Sequence, residues 1–142
     1  MTTKENVQTG GCLCGAVQFE VSGPFRDIIM CHCSMCQQAS GHHAAATAAP
    51  SSAFLFKKQT GLTWYRSSSH AERGFCRKCG SSLLWKMEGR DDISIFVGCL
   101  AGPVNLPVSM HVFTGEKKDY YQISDHAEQF ERYPDAPGFK ST

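Results

Sequence analysis

Long apolar runs are absent from this sequence. No segment of the 142-residue chain approaches the roughly 18–20 consecutive apolar residues that a membrane-spanning helix requires. The opening stretch MTTKENVQTGG is polar and has no apolar h-region, so it does not read as a secretory signal. An excess of charge is missing too. Fourteen Lys and Arg stand against thirteen Asp and Glu, for a net charge of +1, and no basic block interrupts the chain. That balance gives no electrostatic reason to expect nucleic acid or an anionic membrane as partner. The stretch EKKD at Glu116 to Asp119 neutralises itself and reads as a solvated turn. Internal repeats and linkers are also lacking, and helical periodicity is scarce. The length suits one domain, residues 1–142, with a single core. The expected location is the cytoplasm.

Cysteine, by contrast, is abundant. Eight thiols in a chain expected to stay reduced favour metal binding over disulfides. Their context is a series of short period-two segments. Val17, Phe19 and Val21 share one face of AVQFEV; Leu62 and Trp64 align in LTWY. Leu83, Trp85 and Met87 align in SLLWKM, Ile93, Ile95 and Val97 in ISIFV, and Met110 and Val112 in MHVFT. Each predicts a short, half-buried strand. Turn signals lie at SGP (22–24), AAPSS (48–52), MEGRDD (87–92), AGP (101–103) and TGE (114–116). Two short helices are expected: Ser34–Ser40, capped by Ser34 and stopped by Gly41, and Ser124–Tyr133, capped by Ser124 or Asp125. Residues 134–142 read as a loose tail. The expected architecture is mainly β, a meander of short strands bent around metal sites.

The cysteines fall in groups. Cys12 and Cys14 lie in CLCG, Cys31, Cys33 and Cys36 in CHCSMC, and Cys76 and Cys79 in CRKCG, with Cys99 alone. Tetrahedral zinc takes four thiolates at about 2.3 Å, which sets S···S at about 3.8 Å, and a C-x-C or C-x2-C pair can supply two corners. The glycine after each pair lets the backbone turn tightly past the second cysteine. Two plus two makes a closed site, Cys12, Cys14, Cys76 and Cys79. Cys31, Cys33 and Cys36 then remain as a three-ligand site. Four thiolates are the mark of a structural zinc, whereas three with an open position are the usual catalytic arrangement.

The triplet also admits a closed reading, in which His32, His42, His43 or Cys99 supplies the fourth ligand of a second structural zinc. His32 stands between two ligands in extended chain, so its ring should point away from the metal and pack or hydrogen-bond behind it. His42 and His43 follow Gly41 and line either the site or a solvated loop. Cys99, in the apolar run IFVGCL, reads as a small buried hydrophobe. His70, His111 and His126 lack ligand spacing and read as ordinary. No strong general acid stands out: Ser34, Gln37, His32, His42 and His43 are the nearby candidates, and Tyr120 and Tyr121 read as strand or pocket lining.

Four segments in this order, GGCLCGAVQFEV, CHCSMCQQASG, RGFCRKCGSSLLW and MHVFTGEKKDYYQISD, resemble the glutathione-dependent formaldehyde-activating enzyme family, which shares its domain with centromere protein V. The resemblance runs from about Gly10 to Asp125. It implies an Mss4-like fold of short, bent antiparallel sheets and two zinc ions per chain. By the same likeness, Cys12, Cys14, Cys76 and Cys79 are structural ligands, and Cys31, Cys33 and Cys36 act catalytically through their zinc. The implied activity is that of a carbon–sulfur lyase joining glutathione and formaldehyde as S-hydroxymethylglutathione, or cleaving that adduct. A non-enzymatic, zinc-stabilised Mss4-like binding module is the alternative. Methionine sulfoxide reduction, known on a related fold, would need a low-pKa thiol outside the zinc ligands, and only Cys99 is outside them.

Overall fold

The computed structural model describes residues 7–134. In chain order the elements are β1 (Val7–Gly11), β2 (Val17–Ser22), β3 (Ile28–Cys31), α1 (Ser34–Ser40), β4 (Ala44–Pro50), β5 (Phe54–Gln59), β6 (Leu62–Arg66), β7 (Ala71–Cys76), β8 (Ser82–Met87), β9 (Asp92–Phe96), β10 (Val108–Val112) and β11 (Glu128–Gln129), with short 3-10 turns at Ser51–Ala53, Val97–Cys99 and Thr114–Glu116. The mainly β expectation holds. The strands belong to two compact units, one of residues 7–26 with Ala46–Asn105 and one of Asp27–Ala45 with residues 106–134.

In the first unit, β1, β2 and β5 form an antiparallel three-stranded sheet. The residues Ala46–Pro50 of β4 pair with β9, and β9, β8, β7 and β6 follow as an antiparallel meander. Alternation places Val17, Phe19 and Val21 in the core, as the sequence predicts, with Leu83, Leu84, Ile95 and the thiol of Cys76 packed in the same cluster. Phe19 meets Phe54 and Phe56 at ring-centroid distances of 5.7 Å each. Burying such side chains contributes about 1.5–3 kcal/mol apiece before the entropy of ordering them is subtracted.

Strand β8 departs from simple alternation. Phe75 pairs with Ser82 and Gly74 with Leu84, so Leu83 is an extra residue, a β-bulge. Leu83 and Leu84 are therefore both fully buried, while Trp85 is half-buried. The face expected to carry Leu83, Trp85 and Met87 is broken by this bulge.

In the second unit, β10 lies between β3 and β11 and runs parallel to both. These parallel pairs accompany the antiparallel sheets that the resemblance implies. The helix expected over Ser124–Tyr133 does not form. Asp125 turns its carboxylate onto the Ala127 N–H (3.1 Å). Glu128–Gln129 then joins β10 as β11, and the Phe130 N–H donates to the His111 carbonyl at 2.9 Å. The capping signal at Asp125 was real, but β10 supplies backbone partners that a short isolated helix lacks. The turn signal AAPSS closes β4 at Pro50 and opens the 3-10 turn Ser51–Ala53. Most of the tail expected from residue 134 lies outside the described residues, as do residues 1–6.

Candidate metal centres and a buried hydrogen-bond chain

The first centre is built from two knuckles of the first unit. After Cys12 the chain doubles back: Cys12 N–H donates to the Val17 carbonyl at 3.0 Å, and Val17 N–H to the Cys12 Sγ at 3.2 Å. At the end of β7 the Cys76 N–H donates to the Ser81 carbonyl (3.0 Å) and the Gly80 N–H returns to the Cys76 carbonyl (2.7 Å). Gly15 and Gly80 hold φ of +84° and +81°, the left-handed conformation that glycine takes without steric cost. The glycine closing each C-x-C-G and C-x2-C-G stretch thus does what its position suggested.

The result gathers the sulfurs of Cys12, Cys14, Cys76 and Cys79, all within 4.8 Å of one another. Cys12 and Cys14 Sγ are 3.7 Å apart, and Cys14 and Cys76 Sγ 3.8 Å. These separations match the edge of a tetrahedral thiolate cage around zinc, about 3.8 Å. The donor set fits such an ion. Behind it, the Ser81 hydroxyl accepts the Leu13 N–H at 3.0 Å and lies 3.2 Å from Cys79 Sγ. Hydrogen bonding from the Ser81 side chain and backbone brings the Cys79 thiol down to about 5. Cys14 goes the other way, to about 11. Its backbone contact at Ala16 lowers it, but desolvation and the neighbouring thiols outweigh that contact.

The second centre stands at the junction of β3 and α1. Cys31 ends the strand, Cys33 precedes the helix and Cys36 lies in its first turn. Their three sulfurs are also within 4.8 Å of one another. Cys33, rather than Ser34, is the N-cap: its Sγ accepts the Cys36 N–H at 3.3 Å. The Ser34 N–H instead donates to a Glu116 carboxylate oxygen at 2.8 Å, which places a negative charge at the helix start. Glu116 is therefore not merely part of a solvated turn. The hydrogen-bonding sulfurs of Cys33 and then Cys36 drive the Cys31 thiol far above its ordinary range. Three clustered thiols resist ionising together unless a cation joins them. The set fits a thiophilic ion as the first one does.

Among the described residues, none of the candidate fourth ligands joins this triplet. Cys99 belongs to the other unit. Its Sγ contacts the Leu83 carbonyl at 3.9 Å, and desolvation pushes its thiol up to about 12, opposite to what a redox nucleophile needs. His42 is hydrogen-bonded to the Tyr120 hydroxyl. His43 packs its ring on His32 and His42, with centroids 4.7 and 4.2 Å away, and its buried Nδ1 has no hydrogen-bond partner among the described residues.

His32, fully buried, turns to a chain of partners that sequence spacing did not reveal. Its backbone N–H donates to the Val112 carbonyl at 3.0 Å, one step beyond the Cys31–Val112 pair of the parallel β3–β10 ladder. Its ring meets His111 and Tyr121. Asp125 lies 3.0 Å from His111 Nε2 through both carboxylate oxygens, and His32 Nε2 is 2.9 Å from His111 Nδ1. Tyr121 Oη is 2.5 Å from His32 Nδ1.

With both rings neutral, the direction of every bond follows from the carboxylate, which only accepts. The His111 hydrogen bond is the leading cause holding Asp125 below the usual carboxylate range, so the group is ionised. His111 Nε2–H must donate to it, leaving Nδ1 as acceptor. His32 Nε2–H then donates to His111, and Tyr121 O–H donates to His32 Nδ1. Desolvation, aided by the nearby His43, lowers His32 to about 4 and keeps its ring neutral. Desolvation likewise raises Tyr121. Gln37 anchors the backbone here, its amide donating to the carbonyls of His32 and Glu116 at 2.8 Å each. Read from sequence, His111 is ordinary and Tyr121 is strand or pocket lining; both are partners of His32.

Two all-cysteine clusters able to bind metal ions, set on short bent β-strands, define the class of protein. The chain belongs to the glutathione-dependent formaldehyde-activating enzyme family, which it matches over residues 7–116. It is 27% identical over 123 residues to an uncharacterized lyase of Schizosaccharomyces pombe, covering 85% of this chain and 88% of that one. It is 26% identical over 139 residues to a Halomonas elongata protein provisionally named as a glutathione-dependent formaldehyde-activating enzyme, covering 89% and 88%. A Rhodobacter sphaeroides protein of known crystal structure superposes with a TM-score of 0.59 at 27% identity, covering 71% of this chain and 99% of that one. Among the described residues, no helix is long and apolar enough to cross a membrane.

Proposed function

We propose that this protein is a zinc-dependent carbon–sulfur lyase that interconverts glutathione plus formaldehyde with S-hydroxymethylglutathione. The observation that carries the reading is the division of seven clustered thiols into a group of four and a group of three. In this reading Cys12, Cys14, Cys76 and Cys79 hold a structural zinc. Cys31, Cys33 and Cys36 hold a catalytic one, with a fourth position for the substrate sulfur. The family membership and the lyase-named relative support the same chemistry.

Zinc bound at the triplet lowers the pKa of an added thiol and keeps its sulfur nucleophilic. The remaining tasks belong to the chain. Cys33, fixed as the helix cap, and Cys36, held in the first turn, keep their sulfurs converged. In the synthetic direction the thiol sulfur forms a bond to the aldehyde carbon, the C=O pair moves to oxygen, and that oxygen takes a proton. Cleavage is the reverse.

Cobalt substituted into the triplet tests the reading. Millimolar glutathione should change the ligand-field spectrum, and turnover with formaldehyde should exceed the uncatalysed blank. An unchanged spectrum would reject the lyase and favour the saturated, non-enzymatic binding module. The same expectation of a soluble, cytoplasmic location goes with the enzyme reading.

A further inference from the structure

We propose that Glu116 and Gln37 are positioning residues for the three-cysteine site, clamping the start of α1, with Cys33 and Cys36, onto the turn that follows β10. The proposal rests on the reading of the triplet as a metal site for its consequence, but the clamp itself stands on geometry. All of its parts belong to the second unit.

The ligands need such a clamp. Three clustered thiolates repel one another until a cation joins them. Cys31 is held by its strand, because β3 pairs with β10 as far as the Cys31–Val112 pair. The strand ends there. Cys33 caps and Cys36 joins a helix of only seven residues, too short to hold itself together in water. The cap is itself a candidate ligand, since Cys33 Sγ accepts the Cys36 N–H at 3.3 Å. The remaining N–H groups of that first turn must find acceptors elsewhere.

Glu116 and Gln37 supply the attachment. A Glu116 carboxylate oxygen accepts the Ser34 N–H at 2.8 Å. The Gln37 amide donates to the His32 carbonyl and to the Glu116 carbonyl, at 2.8 Å each. The His32 carbonyl belongs to the peptide unit before Cys33, and the Ser34 N–H to the unit after it. Peptide units are planar and rigid. Pinning the one on each side therefore fixes the two backbone dihedrals that aim the Cys33 sulfur.

The turn that carries Glu116 is braced in its own right. Phe113, which is buried, holds φ at +57°, a left-handed conformation uncommon for a bulky residue and kept only where the surroundings enforce it. The Thr114 N–H and hydroxyl both donate to the Phe130 carbonyl, at 3.0 and 3.1 Å. The Glu116 N–H donates to the Phe113 carbonyl at 3.1 Å. Glu116 itself is exposed, so its contribution is not core packing.

The test uses the full chain loaded with zinc. Graded chelator competition sets the occupancy, and alkylation with peptide mass mapping tells freed triplet cysteines from those of the four-cysteine cluster. Glu116→Ala removes the acceptor of the Ser34 N–H. Zinc affinity at the triplet should fall by about 10-fold, the lower end of the range for groups that orient ligands. The four-cysteine cluster should keep its wild-type affinity. Glu116→Gln retains an oxygen at the same reach and should restore tight binding. Gln37→Leu suits a helix but has no donor, and should lose at least as much as Glu116→Ala.

A readout independent of metal is hydrogen exchange of the Ser34 and Cys36 amides, followed by NMR. Both should exchange faster in Glu116→Ala and at the wild-type rate in Glu116→Gln. If the wild type holds no metal at the triplet while Glu116→Ala still speeds exchange, the metal reading fails and the clamp stands. Unchanged triplet affinity with unchanged exchange in Glu116→Ala would overturn the clamp. So would a Glu116→Gln variant as defective as Glu116→Ala, because the acceptor oxygen would then not be what Glu116 supplies. Equal loss of zinc from both clusters would show a general weakening of the fold and reject a positioning role.

Discussion

Cys14 and Cys76 bring their sulfurs to 3.8 Å across 62 residues of chain. The thiol of Cys76 is fully buried in the core cluster that also holds Ala16, Leu83 and Leu84. A metal at this cluster therefore ties the β1–β2 knuckle to the β7–β8 turn. Metal binding at such sites is folding free energy, on the order of 10 kcal/mol in small zinc domains, against a net stability of roughly 5–15 kcal/mol. Cys76→Ser is expected to give insoluble or partly unfolded protein. Cys36→Ser should stay folded and lose only the triplet's metal, because those three ligands close a short loop of chain and restrain little unfolded-state entropy. Thermal melts and zinc counts on both variants decide it. Equal collapse of the two would make the triplet a structural site and remove the main support for a lyase.

Ser81 supports the four-cysteine cluster from behind. It accepts the Leu13 N–H, contacts Cys79 Sγ and favours that sulfur's ionised form. Ser81→Ala removes both interactions without touching a ligand. Partners of this kind typically govern 10- to 100-fold in metal affinity. Competition with a chelator should show a loss of about that size. Retention equal to wild type would mean that the knuckles are rigid without the hydroxyl.

Gly61 makes a different kind of contact. A Cβ there would lie 2.6 Å from Cys76 Sγ and 3.0 Å from Ala16 Cβ. Neither neighbour can swing aside, since one is a buried thiol of the cluster and the other is a methyl on the backbone. Gly61→Ala should lower stability by about 1–3 kcal/mol, the usual cost of overpacking, and speed metal release from this cluster alone. A melt and a zinc-release time course check it. Unchanged release would show that the Cys76 sulfur can shift without leaving the tetrahedron.

Much of this architecture is legible in the sequence. Period two marks β2, β6, β8, β9 and β10 as strands, although only β2 keeps one buried and one wetter face along its length. Cysteine spacing separated the four-thiol cluster from the triplet because a chelating pair must be close in sequence. Strand β4 carries little strand signal for a physical reason: AAATAAP has one β-branched side chain, Thr47, and no alternation, and its place among the paired strands is what makes it one. The bulge at Leu83 is equally invisible, since it depends on register with β7. The hydrogen-bond chain left the weakest trace. His32, His111, Tyr121 and Asp125 share no local spacing, and it is the β3–β10 pairing and the turn at Asp125 that assemble them. One part could be reasoned out: a histidine between two ligands in extended chain turns its ring away from them, and His32 does.

His43 predicts a pH dependence whose sign can be worked out. Its ring is packed among His32, His42 and Tyr121, and its buried Nδ1 has no partner among the described residues. Desolvation first, then the nearby His42 and His111 rings, hold its pKa below the ordinary 6.5. In the unfolded chain the same imidazole takes a proton as pH falls through about 6.5. The folded protein does so only at lower pH, so the unfolded state binds more protons in between, and stability there rises with pH. The contribution is fully present above about 6.5 and is lost as pH falls through the folded value. His43→Gln titrates nothing at this position. Melting temperatures of the zinc-loaded wild type and variant, taken between about pH 8 and pH 5.5, should therefore diverge in slope, the wild type falling faster below about 6.5. Loss of metal in acid affects both proteins alike, so the difference between the traces isolates His43. Parallel traces would mean that the ring is as well solvated folded as unfolded, and that the packing around it imposes no barrier to charging.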